Sequence, residues 1–305
     1  MTKSNAHAFR KFIIGLPLAF LGLTLSMPAG AHGEAGKRFF PATLTFDDPF
    51  TQDEFDLLYN SISNAKSGQG ETVDLNTLNF EYAKSITPGF ALSVGSAYVD
   101  SKFEDGSTQH GFDNIELSGK VMGGVNEASE SVWSYGLDID VGGTSSHGIG
   151  ESFSVYSPSF YFGKGLGNLF DSSSYLRPLA VTGKISVALP EQGDQPRSLN
   201  TALSLQYSMT YLESFVKDVG MPQFLRNSVL LVEMPLQTCL DHGCDGDVTG
   251  TVNPGIIFFN HMGQLSLEAV VPANDRTGDS VGALLQVHFY LDDIFPSTLG
   301  KPLFE

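Results

Sequence analysis

Cys239 and Cys244 stand in the run Thr-Cys-Leu-Asp-His-Gly-Cys. Two chemistries suit that spacing. In an oxidising compartment the pair closes a short disulfide loop. As thiolates, with His242 and Asp241 between them, they are metal ligands. Of the other histidines, His110, His147 and His261 fall in stretches read below as connections, and His288 falls in a strand. A hydrolase needs nucleophile, base and orienting group within reach of one another. The chain has no Gly-x-Ser-x-Gly, and its serines are too many to single one out. Gly163-Lys164-Gly165-Leu166-Gly167 precedes no helix opening on Lys-Ser/Thr, so a phosphate loop is not supported. No catalytic residue and no cofactor are expected. The charges with a pattern are Glu81, Glu116, Lys120, Asp138, Asp140, Lys184, Glu233, Glu268 and His288, which share the polar face of alternating segments. Charges on an enclosed face must be solvated or paired. They form either a narrow water-filled path with an acidic bias or a salt-bridged filling that braces the fold.

The elements that position these charges have a period of two. Trp133, Tyr135, Leu137, Ile139 and Val141 alternate with Ser134, Gly136, Asp138 and Asp140; Leu203, Leu205, Tyr207, Met209 and Tyr211 alternate with Ser204, Gln206, Ser208 and Thr210. Each run puts apolar groups on one side of a strand and small or polar groups on the other. Twelve such segments are read, at 53–64, 72–86, 89–101, 112–124, 132–143, 152–165, 176–189, 198–213, 228–239, 249–260, 263–272 and 280–291. The second slips phase near Asn76-Thr77, which predicts a bulge there. Pro158, Pro178, Pro235 and Pro254 predict irregular rungs.

A soluble sandwich or closed soluble barrel would alternate in the same way, with its apolar side inward. Three features favour the membrane form. The segments exceed the roughly five to six residues of a soluble strand and reach the ~9–11 of a membrane strand. The polar side is rich in Ser, Thr, Asn, Asp and Gly. The apolar sides begin or end on aromatics (Phe90, Tyr98, Trp133, Tyr135, Tyr211, Phe289), suited to interfacial girdles. The expected fold is all-β: a single antiparallel transmembrane β-barrel of about twelve strands with short periplasmic helical connections.

The start of the chain reads as an address. Lys3, Arg10 and Lys11 precede an apolar run from Phe12 to Met27, then Pro28 and Ala29-Gly30-Ala31. Basic start, short apolar core and small-x-small exit make a secretory signal cut after Ala31. The run is too short for a spanning anchor and Pro17 interrupts it. The whole chain carries 17 Lys and Arg against 34 Asp and Glu, and three of the cations lie before the cut. A mature chain this acidic excludes nucleic acid as a partner, since phosphate binding needs basic surface. The cut would leave His32 at the new terminus, where amine and imidazole nitrogens form a candidate copper site.

With strand one rising from the periplasm, the outer loops are 65–71, 102–111, 144–151, 190–197, 240–248 and 273–279, all polar. The inner connections include Thr87-Pro88, 125–131 and 260–262, with longer ones at 166–175 and 214–227. The last places Phe215, Val216 and Val219 on one side of a helical turn. The reading gives a signal at 1–31, an extended segment at 32–52, and one barrel with a C-terminal tail at 53–305.

The segment Thr45-Phe46-Asp47-Asp48-Pro49, the strand opening His110-Gly111-Phe112-Asp113-Asn114-Ile115-Glu116-Leu117 and the ending from His288 to Phe304 resemble the bacterial outer-membrane barrels grouped as transporters of the MetA phenol-degradation pathway. The resemblance covers most of the chain after residue 31. It implies uptake or export of small, often aromatic or hydrophobic molecules, with outer-membrane lipid, the barrel-assembly machinery and a small-molecule solute as partners. A non-conducting barrel that docks a periplasmic or surface partner is the alternative. The ending departs from the aromatic terminus of many such barrels, because Phe304 is followed by Glu305. Either Phe289 or Tyr290 ends the insertion signal, or the tail packs into the barrel from below.

Overall fold

A computed structural model describes residues 33–66, 72–171, 174–244 and 246–304. The expected export signal and His32 lie outside them. A two-stranded hairpin opens the described chain, β1 (Glu34–Ala35) with β2 (Arg38–Phe39). The wall follows: β3 (Glu54–Lys66), β4 (Thr72–Thr87), β5 (Phe90–Phe103), β6 (Thr108–Phe112), β7 (Ile115–Asn126), β8 (Ser131–Val141), β9 (Val155–Gly165), β10 (Leu179–Pro190), β11 (Ser198–Ser208), β12 (Ser228–Cys239), β13 (Val248–Asn260), β14 (Gly263–Pro272) and β15 (Gly282–Tyr290). All neighbours are antiparallel, β4 also pairs with β5, and β15 pairs with β3. The sheet therefore closes on itself. Strands β6 and β7 are one strand interrupted at Asp113-Asn114, because β5 pairs with both. The result is a closed twelve-stranded antiparallel barrel. Both described chain ends lie at one rim, here the proximal end; the loops after β5, β8, β10, β12 and β14 lie at the distal end.

The alternation resolves with its apolar side outward. On β8, Trp133, Tyr135 and Leu137 are exposed on the outside while Val132, Ser134 and Asp138 are buried inside. On β11 and β12, Leu203, Leu205, Leu230 and Val232 point out, opposite Ser204, Gln206, Val229 and Glu233. This arrangement is the inverse of a soluble barrel, and a hydrocarbon surround satisfies it. No helix among the described residues is long and apolar enough to cross a membrane, and the crossing elements here are strands.

Five expectations are corrected. The eighth segment stops at Ser208 rather than 213. There the Ser208 hydroxyl accepts the Tyr211 N–H at 3.1 Å and caps helix α1 (Met209–Phe215). Tyr211 thereby turns inward and is buried, so it belongs to no interfacial girdle. The helical turn expected across 214–227 is instead α1 plus a four-residue α2 (Gln223–Arg226). The register is regular at Asn76 and Thr77, which pair with Ser61 and Asn60; it shifts farther along, between Ile62 and Ala65 opposite Leu75 and Val73, where Asn64 adopts a left-handed φ of 57° and its N–H reaches Asp74 Oδ1 at 3.0 Å. The connection read as 102–111 is shorter, since 108–112 are strand.

The tail does not enter the barrel. After α3 (Leu291–Ile294) it runs along the proximal rim, where Leu303 and Phe304 donate to Ser85 and Ile86 carbonyls and Lys84 Nζ donates to the Leu299 and Lys301 carbonyls.

Candidate lumen and plug

The segment between β2 and β3 fills the proximal half of the lumen. It enters beside the β9–β10 connection, rises to an apex at Leu44–Phe46, and returns to start β3. Four phenylalanines (Phe39, Phe40, Phe46, Phe50) give it the composition of a core rather than of a solvated tail. Phe40 packs with Phe50, Val132 and Ala180, and Leu44 packs with Val229, Leu231, Ile257, Val270 and Leu284. These inward apolar side chains break the polar pattern of the lumen where the plug seats. At Gly163 a Cβ would sit 3.2 Å from the Phe40 ring and 3.0 Å from Val132, so the missing side chain leaves Phe40 its place.

Polar contacts hold the plug along its length. Glu233, fully buried, accepts the Thr45 N–H at 2.9 Å and the Thr45 hydroxyl. Lys120 pairs with Asp47 and donates to the Asp48 carbonyl at 2.8 Å. Gln264 donates to the Ala42 carbonyl at 2.7 Å, and Ser134 to the Pro49 carbonyl. Where the plug joins β3, Asp53 accepts from Lys84 at 2.6 Å and from the Ser85 N–H at 2.9 Å.

Arg38 latches the entrance. It is 1% exposed; its guanidinium donates to the Pro178 and Arg177 carbonyls at 2.7 and 2.6 Å, faces Glu130 at 3.4 Å, and lies over the Tyr211 ring. Tyr211 in turn donates to Glu130 at 2.9 Å. Burial pulls the Arg38 pKa down, and the Glu130 carboxylate opposes that.

The charges singled out from the sequence all point inward, to different company. Lys120 and Glu233 hold the plug. Asp138 pairs with Lys184 at 2.8 Å, and Asp140 accepts from Asn114 at 2.8 Å. His288 lies between two carboxylates of β3, with Nε2 3.0 Å from Glu54 and Nδ1 3.1 Å from Asp56. Both ring nitrogens are thus occupied. Glu268 is 1% exposed, and neither carboxylate oxygen has a hydrogen bond among the described residues. Glu81 and Glu116 face open space.

That space is two adjoining cavities. One, ≈ 340 Å³, lies between plug and wall and is lined by Asp56, Glu81, Glu116, Asp138, Asp140 and Lys184 among others. The second, ≈ 550 Å³, opens distally and is lined largely by Ser, Thr, Asn and Gln of β9–β13. Phe46, Glu116, Asp138 and Lys184 border both. The plug residues Arg38, Thr45, Phe46 and Asp47 and the first-strand carboxylates Glu54 and Asp56 were not among the residues expected to line the lumen. The clustered phenylalanines of 39–50 were the available signal.

At the distal end Cys239 and Cys244 form a disulfide, with Cα atoms 5.8 Å apart. Between them Asp241 accepts from the Arg197 guanidinium at 2.6 Å and the Arg197 N–H at 2.9 Å, and contacts His242 Nδ1 at 2.7 Å. No set of three His, Cys, Asp or Glu side chains suited to a metal occurs among the described residues.

No family model matches the chain, and no curated protein does. Among solved structures it is similar to the COG4313 outer membrane channel from Pseudomonas putida F1, with a TM-score of 0.55 and 13% identity over 86% of this chain and 99% of that one. It also aligns with the KdgM porin at a TM-score of 0.46 and 11% identity, over 77% and 98% of the two chains. The beta domain of the Bordetella autotransporter BrkA aligns at 0.44 and 8%, over 78% and 99%. What is shared with the first of these is the fold, a closed antiparallel β-barrel of the kind found in outer-membrane proteins.

Proposed function

We propose that this chain is exported by its first 31 residues and forms an outer-membrane channel for small polar solutes, with the proximal end in the periplasm and its own N-terminal segment closing the exit. One observation carries this reading. Inside a closed barrel with an apolar exterior, a polar cavity runs from the distal loops down to Phe46, and the plug begins there. A twelve-stranded ring falls between the side-chain-filled eight-stranded barrels and the open sixteen-stranded porins. A removable segment is a reasonable filling for that width. The resemblance read from the sequence implied aromatic or hydrophobic cargo. The hydroxyl and carboxylate lining supports polar solutes, and its acidic excess favours cations. His288 has no ring nitrogen left for a nucleophile, which supports a non-enzymatic role.

The test is reconstitution of the protein lacking residues 1–31 into planar bilayers. Intermittent conductance in the intact chain, and sustained conductance once the plug is loosened, would support the channel. An inserted barrel that never conducts with the plug loosened would sink it. That result would favour the second reading, a docking barrel, for which the many plug contacts also speak.

A further inference from the structure

The lining of the two cavities is segregated by side. Inward residues of β3, β4, β7 and β8 supply Asp56, Glu81, Glu116, Asp138 and Asp140. Those of β9 to β13 supply Ser157, Ser186, Asn200, Gln237 and Thr251 in consecutive strand order. One wall is therefore anionic, and the facing wall carries hydroxyls and amides able both to donate and to accept, its one cation, Lys184 of β10, being paired with Asp138. Phe46 borders both cavities.

Much of the anionic wall is already partnered within the protein. Asp138 is paired with Lys184, Asp56 with His288, and Asp140 accepts from Asn114. Glu81 and Glu116 have neither hydrogen bond nor ion pair among the described residues. On the facing wall Ser186 is 5% exposed and lines the distal cavity, and its hydroxyl has no partner among the described residues. Glu81 lines the adjoining cavity, whereas Glu116, Ser186, Asn200, Thr251 and Phe46 line the distal cavity together, so an unpaired carboxylate and a hydroxyl with flanking amides share one space.

We infer that this space is a binding site for a small polyhydroxylated solute bearing a cationic amine. The ammonium group pairs with Glu116. The hydroxyls exchange hydrogen bonds with Ser186, Asn200 and Thr251, and an apolar edge of the solute rests on Phe46. A neutral polyol engages the hydroxyl and amide wall alone. An acidic one meets the carboxylates and is repelled, since like charges at close range in a poorly solvated site are costly. The inference rests on the channel reading for its route of entry, and its binding test is separate from conduction.

The experiment is calorimetric titration of the detergent-solubilised protein, without residues 1–31, using D-glucosamine, D-glucose and D-gluconate at neutral pH. Glucosamine should bind at least about tenfold more tightly than glucose, the worth of one charge-assisted contact, and gluconate should not bind. The variant Glu116→Gln should lose the preference for glucosamine and keep the glucose affinity. Ser186→Ala should weaken both sugars alike. Heat-shifted gel migration would show that each variant keeps its barrel, and the wild-type ligand ranking decides independently of any variant. Equal affinity for glucosamine and gluconate, no binding of any of them, or a preference that survives Glu116→Gln would overturn the inference. Conductance without glucosamine binding sinks this site and leaves the channel standing; binding without conductance does the reverse.

Discussion

The Arg38 guanidinium lies 4.0 Å from the centre of the Tyr211 ring, joining the N-terminal hairpin to helix α1 across more than 170 positions of sequence. The stack belongs to a buried set that includes Glu130 and two backbone carbonyls. Removing one partner from such a set typically costs roughly 3–5 kcal/mol, because it leaves a buried charge uncompensated. Arg38→Ala should therefore release the lower plug while the wall persists. Planar-bilayer recording should show open-state occupancy rising at least tenfold over wild type. Arg38→Lys should fall near Ala, since an ammonium cannot donate as a fork and stack at once.

Glu233 pins the apex from the far side. A hydrogen bond to a charged group contributes about 1.5–3 kcal/mol, and tenfold corresponds to about 1.4 kcal/mol. Glu233→Ala should speed hydrogen exchange at the Leu44 and Thr45 amides by tenfold or more. Exchange at β8 amides remote from Glu233 should stay as it was. Equal acceleration at both sites would mean that the barrel itself had loosened.

A steric wedge should act where polar latches are untouched. Gly163→Leu places atoms where the Phe40 ring now lies. The backbone stays in the ladder with β8 and β10, so heat-modifiable migration should persist. A spin label at position 46 should become mobile, and it should remain immobile if the plug tolerates the wedge.

The distal loop carries the clearest pH dependence. The Arg197 N–H, His242 and the Arg197 guanidinium hold Asp241 well below the usual carboxylate range, and the Asp241 hydrogen bond raises His242. The His242 contribution is complete below its unfolded value of about 6.5 and fades as pH rises through the folded one. The Asp241 contribution is complete above about 3.9 and fades as pH falls through its depressed folded value. The clamp is thus tightest between those limits. Titration of the His242 ring by NMR should show an elevated midpoint that returns to the ordinary range in Asp241→Asn.

The wall was legible in the sequence because a strand has an integer period. Leu203 and Leu205 against Ser204 and Gln206 can be sorted into two faces without any partner being known. The helix at Met209 was not legible. The alternation continues through Tyr211, and only the cap from Ser208 and the buried seat against Arg38 decide the outcome. The inward charges were found by parity alone, but their partners were not. Lys120 meets Asp47 and Glu233 meets Thr45 across 73 and 188 positions of sequence, and no local period encodes such a pairing. Segment 32–52 could be read only as an extended piece ahead of the barrel, and its seat in the lumen stayed open, because its phenylalanines follow no period.

The seam between first and last strands has a bearing on manufacture. His288 of β15 is matched to Glu54 and Asp56 of β3, the two ends of the wall to be joined last. A slip of one residue at closure would put His288 on the opposite face of the wall from Glu54 and Asp56, and a slip of two would leave a buried imidazole and a carboxylate unmatched. The trio therefore works as a checkpoint on register at the moment the cylinder shuts. The plug is encoded immediately before β3, so the same moment decides whether it is enclosed or left outside.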